Sequence, residues 1–202
     1  MKPDYSMNRK NLGYIKRGIA AILRRGGNYS MHKHGRLWLP QIIQNGGIGV
    51  ELGVASGYYS NKILINSPLS QLYSIDCWAD HHNSSEYFNC CLLLRPHGDR
   101  SIVLRMYFEE ALGLFRDGFF DFIYIDAYAG SGQDNGKILN DWWPKLKSGG
   151  IFAGHDYDAK WPATIYAVDQ FCAINNIKSN IIPGVQLEHK HNNYSSWYIT
   201  RK

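Results

Sequence analysis

The stretch Gly46-Gly47-Ile48-Gly49-Val50-Glu51-Leu52-Gly53-Val54-Ala55-Ser56-Gly57 decides the fold of this chain. A short apolar run (Ile48, Val50, Leu52) carries Glu51, and Gly53 and Gly57 then punctuate the entry into a helical segment. A strand that turns tightly into a helix N-terminus makes a nucleotide-sized crevice at the edge of an α/β sheet. Gly53 suits a turn that needs φ > 0, and lacking a Cβ it lets a ligand lie against the backbone. Further along, a second apolar run, Leu72-Tyr73-Ser74-Ile75, ends on Asp76. A carboxylate there suits the two hydroxyls of a ribose. Together the two features predict an adenosine-containing cofactor.

The turn does not have the G-x-G-x-x-G spacing of a dinucleotide site: with Ala at 55 and Ser at 56, its pattern is Glu-x-Gly-x-x-x-Gly. A pyrophosphate would also be repelled by Glu51 at the mouth of the turn, whereas an ammonium group would be attracted. Both points argue against an NAD(P) oxidoreductase. S-adenosylmethionine (SAM) carries an ammonium and a sulfonium and has no phosphate. The Glu51-to-Gly57 segment resembles motif I of the class I SAM-dependent methyltransferases, and Asp76 resembles the acidic end of their second strand. The resemblance implies Glu51, Gly53, Ser56, Gly57, Asp76, Cys77, Trp78 and Asp126 as cofactor-binding residues, with Trp78 near the adenine.

The rest of the chain fits the same frame. Apolar runs over 48–52, 72–76, 101–105, 120–126 and 151–155 predict five strands, with helices over 58–66, 86–95, 108–115, 135–146 and 162–175. Residues 179–200 offer two further strands, read as a hairpin. Strands that are apolar throughout and alternate with helices predict a buried parallel sheet with helices on both faces. The resemblance implies an α/β fold: a single Rossmann-like methyltransferase domain, its seven-stranded sheet mostly parallel with an antiparallel last strand. Residues 1–45 are expected to form a basic helical segment of the same domain, with helices over 11–25 and 37–45, and 46–202 the core.

Composition sets the outer limits. A chain of 202 residues with 45% apolar and 19% charged residues is sized and composed as one globular domain. No apolar run approaches the length of about eighteen needed to cross a bilayer. Gly18 to Leu23 is followed at once by Arg24-Arg25 without a small-residue cleavage site, so no signal peptide is expected. Cys77, Cys90, Cys91 and Cys172 show no metal-type spacing and read as reduced thiols, consistent with a cytoplasmic protein. Residues 1–36 hold nine Lys/Arg against Asp4 alone. Such an arm could meet nucleic acid, an anionic membrane or a phosphorylated substrate. Ile15, Ile19, Ile22 and Leu23 recur among its basic residues at helical spacing, so the simpler reading is the solvated face of a helix.

Ligands of open α/β sheets sit beyond the carboxyl ends of the strands. Those ends carry Glu51, Asp76, Asp126, His155 and Asp156, and as a set they make a poor structural device because buried charges need partners. Two segments narrow the family. Arg105-Met106-Tyr107-Phe108-Glu109-Glu110-Ala111-Leu112 resembles the macrocin-type sugar O-methyltransferases, as does Asp141-Trp142-Trp143-Pro144-Lys145-Leu146-Lys147-Ser148-Gly149-Gly150 leading into Gly154-His155-Asp156-Tyr157-Asp158. That group implies a carbohydrate acceptor and a divalent cation, Mg²⁺ or Mn²⁺, on Asp126 and Asp156, whose hard oxygens suit such ions. The histidine that commonly follows the strand-4 Asp is missing: the chain continues Ala127-Tyr128-Ala129-Gly130. The candidate bases are therefore His155 first and Asp126 second, with a non-catalytic place beside the metal as the alternative for His155. An Asn/Asp-Pro-Pro-Tyr turn, which would suit amine or nucleobase acceptors, is also missing at 126–129. Trp161 is an acceptor-side candidate, and His32 and His34 either close over the substrate or belong to a solvated loop. The alternative functions are a methyltransferase for RNA or another polyanion using the basic arm, and a non-catalytic SAM-binding subunit.

Overall fold

The computed structural model describes residues 31–43, 46–186 and 190–202. The expected helix over 11–25, the Gly26-Gly27 turn and most of the basic arm lie outside them, as does the side chain of His32.

Seven strands form one sheet: β1 (Ile48–Leu52), β2 (Gln71–Asp76), β3 (Ser101–Arg105), β4 (Phe120–Ile125), β5 (Leu146–Gly154), β6 (Asn180–Ile182) and β7 (Ser196–Thr200). Their order is β3-β2-β1-β4-β5-β7-β6. The first five pair in parallel, and β7 runs antiparallel between β5 and β6. β6 and β7 do pair antiparallel, yet residues 183–195 separate them, so they are joined by a long connection rather than a tight hairpin. The order reverses between β1 and β4, where a doubly wound sheet opens its crevice.

Central strands buried on both faces explain the apolar runs. Val50, Leu52, Ile75, Phe120, Ile123 and Phe152 pack on one side with Trp142 and Phe171. Leu72, Phe122, Tyr124 and Ala153 pack on the other with Tyr59, Ile63 and Leu64. The helices are α1 (Tyr58–Asn66), α2 (Ser84–Leu94), α3 (Phe108–Leu112), α4 (Lys137–Trp142) and α5 (Pro162–Ile174). α2 begins two residues before its expected start because Asn83 caps it: its side chain accepts from the N–H groups of Ser85 and Glu86, and Glu86 reaches back to the Asn83 N–H. α5 starts on Pro162, whose missing N–H costs nothing at a first turn.

Three expected elements differ. Instead of a helix over 37–45, a helical turn at Met31–His34 runs into a 3₁₀ helix at Gly35–Ile42 that contains Pro40. A proline removes the hydrogen bond an α-helix would need there. β5 begins five residues early, because Leu146 pairs with Phe120 across a bulge. The helix expected from 135 is short and preceded by a left-handed turn in which Gly132, Gln133, Asp134, Asn135 and Gly136 all have positive φ. A Cβ on Gly132 would lie 2.5 Å from the Ala163 carbonyl oxygen, so only glycine lets this turn press against α5.

Candidate active site

Beyond the carboxyl ends of β1, β2, β4 and β5 lies a cavity of about 730 Å³. β1 and β2 lead into Glu51, Gly53, Ser56, Asp76 and Cys77; β4 and β5 lead into Asp126, Tyr128, Asp156, Lys160 and Trp161, and Tyr194 joins them. The topology thus brings most of the sequence-predicted residues to one place. Gly57, Trp78 and His155 do not line the cavity; they lie behind it.

The turn after β1 is built around Asp76. One carboxylate oxygen accepts from the backbone N–H groups of Val54 (2.8 Å) and Ala55 (3.0 Å), the other from that of Trp78 (3.2 Å). The oxygen bonded to Trp78 keeps a second lone pair, so the group clamps the turn and can still accept from a ribose hydroxyl. Gly53 is required by its neighbour: at φ 86° a Cβ would stand 2.3 Å from the Asp126 carbonyl oxygen. Gly57, at φ 84°, caps α1 and lies against Cys90. Trp78, expected near the adenine, does not line the cavity. Its side chain is buried under the turn and its indole N–H donates to the Ala55 carbonyl at 2.8 Å. Arg105, the last residue of β3, donates to the Cys77 and Trp78 carbonyls and fixes that loop.

Glu51 is 1% exposed yet faces the cavity. Burial pushes its carboxyl up to about 8, against the opposing effect of a hydrogen bond from the Ser60 hydroxyl. Ser60 also lies 2.7 Å from Ser74. No basic side chain bonds Glu51 among the described residues, so a bound ammonium or sulfonium would supply the missing counter-charge.

At the other end the organising residue is Arg36, which sequence reasoning counted only as part of the basic arm. It is 3% exposed, donates to Asp126 at 2.7 Å and to the Asn192 side chain at 3.0 Å, and lies 4.5 Å from the centre of the Tyr59 ring. The one signal for it in the sequence is its setting: a lone charge entering the apolar run Leu37-Trp38-Leu39-Pro40. Burial disfavours ionised Asp126, but His155 and Arg36 outweigh it and hold the carboxyl well below the usual range.

His155 is 1% exposed, its Nδ1 3.3 Å from Asp126 and 3.2 Å from Asp156. These are ion-pair distances; neither ring nitrogen has a well-aligned hydrogen bond among the described residues. Burial, the largest single effect, favours the neutral imidazole, yet Asp126 and Asp156 together outweigh it and raise the pKa. Asp156 itself adopts φ 60°, uncommon for a non-glycine residue, and keeps its carboxylate at the cavity wall. His155 therefore backs the two carboxylates and does not reach the cavity.

Asp126, His155 and Asp156 each offer one ligand atom within 4.8 Å of the others. Two hard carboxylate oxygens and an imidazole suit an oxygen-seeking divalent ion, although Arg36 already occupies one oxygen of Asp126.

A family model described as a methyltransferase domain matches residues 48–157, more than half of the chain. A search of curated proteins finds no match. Among solved structures, the O-methyltransferase from Bacillus cereus in complex with SAH is 14% identical with a TM-score of 0.62, covering 98% of this chain and 93% of its own. The precorrin-6y C5,15-methyltransferase from Geobacter metallireducens is 13% identical with a TM-score of 0.62, covering 82% and 86%. An rRNA methylase from Streptococcus thermophilus is 13% identical with a TM-score of 0.57, covering 81% and 91%. At such identities the structures testify to the fold, and the family match carries the rest: the chain belongs to the methyltransferase-domain family and is a class I SAM-dependent methyltransferase.

Proposed function

We propose that this enzyme transfers a methyl group from SAM to a hydroxyl of a sugar or glycan. The observation that carries the reading is the arrangement of Asp126 and Asp156 at the cavity wall with His155 behind them. Glu51 meets the ammonium end of the donor, the Gly53–Gly57 turn lies along its backbone, and Asp76 accepts from the ribose. The methyl carbon leaves a sulfonium, which becomes a neutral thioether, and forms a bond to the acceptor oxygen. The leaving group needs no stabilisation; the protein must align the two reactants.

A sugar hydroxyl is barely acidic near neutral pH, so its proton must depart as the oxygen attacks. Asp156 lines the cavity and takes that proton, while His155 positions it; Asp126, held ionised by Arg36, is the poorer base. This reassigns the contact role first expected of His155. A divalent ion held by Asp126 and Asp156 would fix the acceptor oxygen and lower its pKa. The carbohydrate assignment rests on the sequence resemblance around Asp141–Asp158 and on the aromatic cavity wall of Tyr128, Trp161 and Tyr194, since sugars pack their C–H faces on such rings. A cytoplasmic location fits its four free cysteines, and among the described residues no helix is long and apolar enough to cross a membrane.

The decisive assay is methyl transfer from labelled SAM to a panel of mono- and oligosaccharides, with and without EDTA. Transfer to at least one sugar is expected, and transfer to none of them sinks the carbohydrate reading. Activity lost in chelator and restored by Mg²⁺ or Mn²⁺ supports the ion; undiminished turnover removes it. The basic balance of residues 1–36 favours one rival, methylation of RNA. That rival requires binding to RNA that falls steeply with salt and is lost when residues 1–30 are deleted.

A further inference from the structure

The cavity is electrically lopsided. Six acids line it, namely Glu51, Asp76, Asp80, Glu86, Asp126 and Asp156. Its two permanently charged cations are Arg36 and Lys160. Arg36 is committed to Asp126. Lys160 has no carboxylate within ion-pair distance of its ammonium among the described residues.

Lys160 is nevertheless held in place. Its Nζ donates to the Tyr194 hydroxyl at 2.6 Å and stands 4.7 Å from the centre of that ring and 5.0 Å from that of Trp161. One of three donors is used, leaving two for a ligand. The indole N–H of Trp161, also in the cavity wall, is buried without a partner. A buried donor without an acceptor is costly and calls for an explanation. Trp161 precedes Pro162, the start of the thirteen-residue α5, whose first N–H groups add partial positive charge at the same lip.

We propose that Lys160, Trp161 and Tyr194 form an anion-reading subsite, and that the acceptor carries a carboxylate or phosphate near the hydroxyl to be methylated. The inference rests on the hydroxyl-methylation reading and narrows its substrate class to acidic sugars. The charge pattern has a simple logic: the cationic donor enters the acid-lined half, and the acceptor's anion is drawn to the opposite end by the unpaired ammonium. The same acids would repel an anion placed anywhere else in the cavity.

The test measures binding and turnover separately. Glucose, glucuronate, glucose 6-phosphate and inorganic phosphate are titrated against the SAH-loaded protein by ligand-observed NMR, with wild type, Lys160→Gln and Lys160→Arg. In parallel, methyl transfer from labelled SAM to the three sugars is followed. One or both acidic sugars should bind about tenfold or more tightly than glucose, the size of one charge-assisted contact. Lys160→Gln should erase that preference and Lys160→Arg should keep most of it, with SAM affinity unchanged in both variants. Binding of glucuronate, glucose 6-phosphate and glucose with equal strength, a preference that survives Lys160→Gln, or binding of none of the anions overturns the proposal. Lys160-dependent phosphate binding with no sugar methylated leaves the anion subsite standing and defeats the sugar reading. Methylation of glucose and its acids at equal rates does the reverse.

Discussion

Glu51 and Arg36 are opposite solutions to burying a charge. Glu51 sits in the cavity floor with only the Ser60 hydroxyl for support, and burial raises its carboxyl to about 8. A group whose folded pKa lies above its unfolded value of 4.5 favours folding fully below that value and loses this contribution as pH rises towards 8. Glu51→Gln should therefore be more stable than wild type at pH 9 by a few kcal/mol, because a pKa difference of one between folded and unfolded chains is worth roughly 1.4 kcal/mol. At pH 4.5 the same substitution should gain little. SAM affinity should move the other way: it rises in wild type from pH 6 to 8 as Glu51 ionises, and stays low and flat in Glu51→Gln. Calorimetry across that range checks both, and a flat wild-type profile would remove Glu51 from cation recognition. Arg36 is fully paired, so Arg36→Met should cost up to about 3–5 kcal/mol in urea denaturation because it leaves the part-buried Asp126 carboxylate with His155 alone. Asp156→Asn should lower methyl transfer by roughly 10²–10⁴-fold with SAM binding kept, the range for losing a positioned base. His155→Gln should lose less and shift the pH profile, as a residue that acts through Asp156.

The element that matters most is the turn from β1 into α1. It holds together because strand ends approach closely: Gly53 lies under the Asp126 carbonyl, and Asp76 ties down Val54, Ala55 and Trp78. Gly53→Ala combines a left-handed backbone with a Cβ placed 2.3 Å from a carbonyl oxygen. It should lower stability by about 2 kcal/mol or more and weaken SAM binding at least tenfold. Gly130→Ala is the matched control for stability, since a Cβ there meets nothing within 4 Å, and its melting temperature should stay within experimental scatter of wild type. Equal effects of the two substitutions would mean the turn is not held by this contact. The left-handed turn before α4 belongs to the same scale: Gly132 lets it dock on α5, beside the Trp161 that begins the acceptor lip.

Across the whole molecule, chain segments far apart in sequence meet at one edge of the sheet. Arg36 precedes β1, Asp126 ends β4 and Asn192 lies before β7, yet all three share hydrogen bonds. The sheet and the donor side were legible in the sequence because their signals are local: apolar runs mark the strands, glycine marks the turn, and an acid marks the end of β2. Ser148-Gly149-Gly150 looks like a turn in the sequence, whereas the pairing of Leu146 with Phe120 and the backbone bonds of Gly149 and Gly150 with Arg201 draw it into β5. Asp126 and Asp156 could be placed at the site by the strand-end rule alone. Their surroundings could not. That Arg36 is sealed against Asp126, that His155 falls behind the wall, that Trp78 turns into the core and that Lys160 stands between two rings all depend on side chains brought together across long separations. Sequence determines which residues each strand and turn presents, since backbone periodicity and φ preferences act over a few neighbours. Only the packed structure decides which of those charges are partnered and which are left for a ligand, because burial and electrostatic pairing are properties of the assembled whole.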